Sequence, residues 1–303
     1  MDNQIFWLAS YPKSGNTLLR SIIISLFFTK DGLFSLKLAK YIQQFDTTNH
    51  INNNKIIFGN DFKEVNKLEI LYKYLNELQS KKALRFNQDF IFLKTHSGLF
   101  KIGNFPFTRM ENTRGIIYVV RDPRDVCISW SKHSNITVDN SIDFMMDDLA
   151  VLKWKERNNK KEIFTNHERP KTLLSSWDKN VISWVKIKSK WNIPMLVIKF
   201  EDLVYNKEKV VVSIIKFFEE KYKFSFENKD EKIKNILKST DFNLLKKEEK
   251  NEGFIESVGN NNFFSVGKKN QWKNKLKKEQ LKKIERKFGK TMKSFNYKLN
   301  VEI

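Results

Sequence analysis

Three short apolar runs, residues 5–9, 115–120 and 195–200, are each followed by a segment of helical periodicity, residues 17–28, 123–133 and 207–222. A fourth apolar run covers residues 90–93. Short runs without polar alternation read as strands buried on both faces, and strands that alternate with helices build a parallel sheet. The expected fold class is therefore α/β, three layers with a central mainly parallel sheet flanked by helices. In such sheets ligands bind beyond the carboxyl ends of the strands, so the turns after the runs are where chemistry should be sought. No fixed-period repeat and no Pro-, Gly- or Ser-rich linker interrupts the 303 residues, which read as a single domain, 1–303. Residues 49–55, 157–171 and 246–263 are polar, lack apolar periodicity and are expected to be the least ordered.

Composition removes several classes. The longest apolar run, residues 22–28, is broken by Ser25 and falls far short of the roughly 20 residues a membrane span needs. Asp2 stands where a signal peptide would carry its basic region, so no leader is expected. A lone cysteine, Cys127, excludes an internal disulfide framework and a cysteine-ligated zinc site, and fits a cytoplasmic protein. The net charge of +21 comes from 47 Lys and only nine Arg. The lysines are scattered among abundant Asn, Ile and Phe, residues that share AT-rich codons, and the aromatics sit at core-like spacings. That pattern disfavours nucleic acid as a partner, which would call for basic residues interleaved with aromatics on one surface.

Three motifs lie at strand ends. Tyr11-Pro12-Lys13-Ser14-Gly15-Asn16-Thr17 joins the first run to its helix. Ser14, Gly15, Asn16 and Thr17 can aim N–H groups and hydroxyls at an anion held on the helix N-terminus, and Lys13 adds a point charge. Taken alone, the same residues also suit an ordinary capped turn. The spacing is not G-x-x-x-x-G-K-[ST], which counts against a kinase-type phosphoryl transferase. Lys94-Thr95-His96 ends the second run, where His96 is either a general base or a hydrogen-bonded structural histidine. Arg121-Asp122-Pro123-Arg124-Asp125 turns the third run into its helix, with Ser129 two turns in. Arg121 can fork onto a phosphate or pair with Asp122, and Asp122 can cap the helix.

In order and spacing, the three motifs resemble those of the PAPS-dependent sulfotransferases: Y-P-K-S-G-T-T, K-T-H and R-[DN]-P-[KR]-D-V-x-x-S. Ser176-Trp177 and Ser183-Trp184 resemble the S-W-x-x-H-V-x-S-W segment of bacterial members, and Phe200-Glu201-Asp202-Leu203 their [YF]-E-D-L. Thr240-Asp241-Phe242 is similar to T-S-F, and residues 267–273 to the C-terminal G-x-x-G-x-W-K loop. The resemblance spans residues 5–295 and implies a P-loop-type fold and sulfuryl transfer from PAPS (3′-phosphoadenosine 5′-phosphosulfate), without a metal.

By matched position, the resemblance implies that Lys13, Ser14, Gly15, Asn16 and Thr17 hold the 5′-phosphosulfate and that Arg121 and Ser129 hold the 3′-phosphate. Phe200, Thr240 and Phe242 would surround the adenine, and Gly267 with Lys268 would close over it. His96 would be the base, flanked by Lys13 and Lys94. There are departures: Leu18 replaces a common Trp, Asn180 replaces the usual His, and Ser265-Val266 precede Gly267 where an Arg is expected. If that last change abolishes 3′-phosphate binding, the chain would be an inactive relative. The acceptor is expected to be a small molecule, carbohydrate or glycolipid, with a homodimer left open.

Overall fold

The computed structural model describes residues 4–154, 165, 167–254, 264 and 267–300. Strands Ile5–Ser10, Ile91–Thr95, Thr113–Val120 and Met195–Lys199 form a parallel four-stranded sheet. Its order is second, first, third, fourth. The first and second strands pair in register from Ile5 with Ile91 to Ala9 with Thr95. The first strand is paired on both edges and buried along its whole length, which is why it carries no polar alternation before Ser10. Helices Asn16–Phe28, Pro123–Ser134 and Lys207–Tyr222 follow three of the strands as the periodicity predicts.

Two expectations of weak order are corrected. Residues 49–55 lie mostly in helices Thr48–Asn53 and Lys55–Phe58, and Thr47 caps the first by accepting from the His50 N–H. Residues 246–252 belong to helix Phe242–Glu252, capped by the Asp241 carboxylate. Side-chain caps start helices Thr48–Asn53 and Phe242–Glu252 where apolar periodicity gives no signal. Residues 155–164 and 255–263 lie outside the described residues. Two short antiparallel hairpins were not foreseen: Lys101–Ile102 with Phe105–Pro106, and Val151–Lys153 with Lys171–Leu173.

The chain divides into two compact units, each assembled from separated segments. The first comprises Met1–Tyr11, Gln44–Tyr118 and Phe144–Met195. It is centred on an aromatic cluster in which Trp7 meets Phe45 edge-on at 5.5 Å and Phe107 at 5.3 Å. The second comprises Pro12–Gln43, Val119–Asp143 and Leu196–Ile303. Phe27 there meets the rings of Phe218, Phe224 and Phe226 at 4.7, 5.3 and 5.2 Å. Among the described residues no helix is long and apolar enough to cross a membrane.

Candidate active site

All the residues expected to hold a nucleotide fall in the second unit. Lys13 and Gly15 take positive φ, 64° and 98°, so the chain turns sharply on either side of Ser14. Gly15 is the N-cap of helix Asn16–Phe28, and no side chain caps that helix start. The glycine is required twice over. Its φ strains any residue with a Cβ, and a Cβ there would come within 2.6 Å of the Phe200 ring. Ser14 is 1% exposed, and its hydroxyl has no hydrogen-bond partner among the described residues. A buried hydroxyl left without a partner costs about 1–3 kcal/mol, so it marks a place for an acceptor or donor from a ligand.

Arg121 does not pair with Asp122. Its guanidinium donates to the Lys13 carbonyl at 2.8 Å and the Lys268 carbonyl at 3.3 Å, and stacks 4.0 Å from the Phe200 ring centroid. Its Nε is buried without a partner among the described residues. Burial lowers its pKa, with Asp125, Glu201 and Asp122 opposing that shift. One arginine thus ties the Lys13 loop to the C-terminal loop. Asp125, in the first turn of helix Pro123–Ser134, holds the same C-terminal loop by accepting from the Asn270 and Trp272 N–H groups at 2.7 and 3.1 Å.

Asp122 caps its helix through the Arg124 N–H, as one reading of the sequence allowed. Its charge goes to Arg124, which also donates to Glu285 at 2.6 Å and lies 3.9 Å from the centroid of Trp272. This buried network anchors the C-terminal helix Lys278–Ser294, and its Glu285 lies too far along the chain for motif spacing to reveal.

The remaining nucleotide candidates gather around the same loops. A Cβ on Gly267 would come within 2.5 Å of the Phe242 ring, so that aromatic packs on the glycine as Phe200 packs on Gly15. Thr240 is fully buried, and its hydroxyl donates to the Ile236 carbonyl at 2.6 Å. Lys207 donates to the Thr240 carbonyl at 2.7 Å. Ser129 is partly exposed on its helix, and Lys268 is exposed. Ser265 and Val266, the expected site of a missing Arg, lie outside the described residues.

The catalytic candidates His96 and Lys94 fall in the first unit. His96 Nδ1 is 2.8 Å from the Ser10 carbonyl, which can only accept, so the proton sits on Nδ1 and the lone pair on Nε2. That is the form a general base needs. Asn180 donates to the His96 carbonyl at 3.2 Å and the Leu174 carbonyl at 3.0 Å, and accepts from the Tyr118 hydroxyl at 2.9 Å. The Asn that replaces the family's His is therefore used on both its oxygen and its nitrogen. Beneath the strand end lies Asp46, which motif reading missed. Its carboxylate accepts from the Thr95 hydroxyl at 2.9 Å and the His96 N–H at 3.4 Å. Burial pushes its pKa up to about 6, against the pull of those hydrogen bonds and of Lys94. Lys94 itself is 4% exposed.

The fold has solved counterparts. The chain is similar to mouse sulfotransferase SULT7A1 complexed with PAP, with a TM-score of 0.58 and 18% identity over 96% of this chain and 84% of that one. It is similar to retinol dehydratase in complex with androsterone and inactive cofactor PAP, with a TM-score of 0.59 and 17% identity over 100% of this chain and 83% of that one. The parallel sheet flanked by helices is the P-loop-type fold of these proteins.

Residues 3–296 match the sulfotransferase domain, and the chain belongs to that family. It is 24% identical over 207 residues to an amine sulfotransferase of Oryctolagus cuniculus, across 64% of this chain and 59% of that relative's length.

Proposed function

We propose that the chain is a PAPS-dependent sulfotransferase that moves a sulfuryl group to the hydroxyl or amine of an acceptor. The observation that carries this is His96, held as the Nδ1–H tautomer by the Ser10 carbonyl at the end of the strand that bears Lys94. Family membership supports it. The residues suit the donor: the Ser14 hydroxyl and Arg121 Nε are buried polar groups without partners among the described residues, beside a glycine turn. Ser14, Gly15, Asn16 and Thr17 would bind the 5′-phosphosulfate, and Arg121 and Ser129 the 3′-phosphate. Phe200, Thr240 and Phe242 would take the adenine, with Gly267 and Lys268 over it.

PAPS supplies the sulfuryl group, and the chain supplies position and charge. His96 accepts the acceptor's proton at Nε2, which strengthens the nucleophile. Lys13 and Lys94 offset negative charge that develops as the group moves, and no metal ion is drawn on. A reducing, cytoplasmic setting is supported by the single cysteine, Cys127, whose burial pushes its pKa up to about 12 and leaves it unreactive.

The test is a calorimetric titration with adenosine 3′,5′-bisphosphate, followed by transfer of label from [35S]PAPS to a panel of hydroxyl and amine acceptors. Saturable binding and labelled product are expected. A chain that does not bind the bisphosphate is not a PAPS enzyme, and the inactive-relative reading then holds.

A further inference from the structure

His96 lies one residue past Ala9 and Thr95, the last pair of the first two strands, where their pairing has ended. Side chains take over there. The Ser10 carbonyl accepts from the ring Nδ1–H at 2.8 Å, and Asn180 donates to the His96 carbonyl at 3.2 Å. The His96 N–H donates to Asp46 Oδ2 at 3.4 Å, and the same oxygen accepts from the Thr95 hydroxyl at 2.9 Å. Thr95 Oγ1 in turn accepts from the Ser97 N–H at 3.0 Å. One carboxylate thus reaches three consecutive residues, Thr95 and His96 directly and Ser97 through the Thr95 hydroxyl.

Asp46 is itself held in place. Gln44 and Lys94 form a parallel bridge, and the Phe45 N–H donates to the Lys94 carbonyl at 2.9 Å. The Phe45 ring meets Trp7 at 5.5 Å and Phe107 at 6.0 Å, which seats the segment in the aromatic cluster of the first unit. Every residue in this set belongs to that unit. Asp46 is 2% exposed and Thr95 is fully buried, so solvent does not stand in for either partner. Buried Lys94 favours the charged form of Asp46. An ionised carboxylate accepts and never donates, so the Thr95 proton turns to Asp46 and its lone pair to the Ser97 N–H.

We propose that Asp46 is a positioning residue: through Thr95 and the His96 N–H it holds the chain so that Nδ1 faces the Ser10 carbonyl and Nε2 keeps the lone pair. That Nε2 serves as a base rests on the sulfotransferase reading above, whereas the positioning is read on the chain alone. Without the carboxylate the turn after Thr95 relaxes, Nδ1 loses its fixed partner, and the proton is shared between the two ring nitrogens.

The test is the ring-nitrogen spectrum of His96, read by long-range 1H–15N correlation at neutral pH in the full chain with its four histidines 15N-labelled. His96→Gln assigns the signals. The parent should show a protonated Nδ1 and an unprotonated Nε2. Asp46→Val should bring the two nitrogen shifts towards each other, as mixed tautomers do. Thr95→Val, which keeps the shape and removes the hydroxyl, should move them the same way. Thr95→Ser and Asp46→Asn each keep an oxygen and should hold the parent pattern. An Asp46 that serves only the fold would lower the melting temperature of the Val variants and leave the ring pattern unchanged, which overturns the proposal. A parent with its proton on Nε2 overturns it too. Should Asp46→Val fail to fold, the two Thr95 variants decide. A second arm measures transfer from [35S]PAPS to any acceptor of the panel that takes label. There Thr95→Val should lower kcat at least tenfold and leave bisphosphate affinity within twofold of the parent, and an unchanged kcat overturns the role in the reaction. Absence of both bisphosphate binding and labelled product would count against the sulfotransferase reading, while the ring spectrum still judges Asp46.

Discussion

One hydrogen bond sets the tautomer of His96, the residue proposed as the base. The Ser10 carbonyl fixes the proton on Nδ1, which leaves the lone pair on Nε2. Replacing it by Ala should lower kcat at least about a hundredfold, the usual contribution of a general base, and leave bisphosphate affinity within a factor of two. Steady-state turnover beside calorimetric binding checks both halves, and near-normal turnover would remove His96 from the mechanism. The K-T-H step was legible in the sequence because its parts are contiguous and sit at a strand end. Asp46 was not, because it reaches Thr95 across 49 residues of chain and belongs to no motif. Asn180 was visible as a departure, yet only the structure gives the reason it fits: it accepts from the Tyr118 hydroxyl while donating to two carbonyls.

At the level of the elements, the strand–turn–helix rhythm located the sheet and its helices, since buried parallel strands and amphipathic helices leave strong local patterns. What linked the loops was hidden. Arg121 reads in sequence as a phosphate fork, but in the structure it donates to the carbonyls of Lys13 and Lys268 and so connects two loops. A pure 3′-phosphate grip would make Arg121→Ala weaken the bisphosphate alone. The observed clamp predicts that adenosine 5′-phosphosulfate, which lacks the 3′-phosphate, weakens as well, each by about tenfold or more, since a charged hydrogen bond is worth about 1.5–3 kcal/mol. Paired titrations decide between the two. Gly15→Ala makes a related prediction. The new Cβ must sit at φ 98° and within 2.6 Å of the Phe200 ring, so the variant should lose about 1 kcal/mol or more. Adding Phe200→Leu should return part of that loss in a chemical denaturation series, leaving only the backbone strain. If the double change returns nothing, the ring contact is not what the glycine serves.

For the molecule as a whole, stability against pH is shaped by two groups of the first unit that pull in opposite directions, the buried Asp46 and the half-buried His50. Burial raises the Asp46 carboxyl from its ordinary 3.8 to about 6, so the folded chain holds this proton more tightly than the unfolded one. That term stabilises the fold as pH falls from about 6 towards 3.8, and is lost as pH rises through the same window. Burial lowers His50, whose Nε2 is 3.0 Å from the Leu78 carbonyl, from 6.5 to about 4. Its term is present above 6.5 and is lost as pH falls towards 4, because the unfolded chain gains the proton first. Each shift amounts to roughly 3 kcal/mol at full span, so the two largely offset each other across the mildly acidic range. Single variants separate them. Asp46→Asn keeps an oxygen for Thr95 and removes the ionisation, so its stability relative to the parent should rise between pH 4.5 and 6.5. His50→Gln keeps a donor for the Leu78 carbonyl, so its relative stability should fall over the same interval. Denaturant unfolding at several pH values gives both difference curves, and opposite slopes are the expected result. A level curve for Asp46→Asn would mean that this carboxyl ionises as an exposed one does, and that the strand end beneath His96 is wetter than its burial implies.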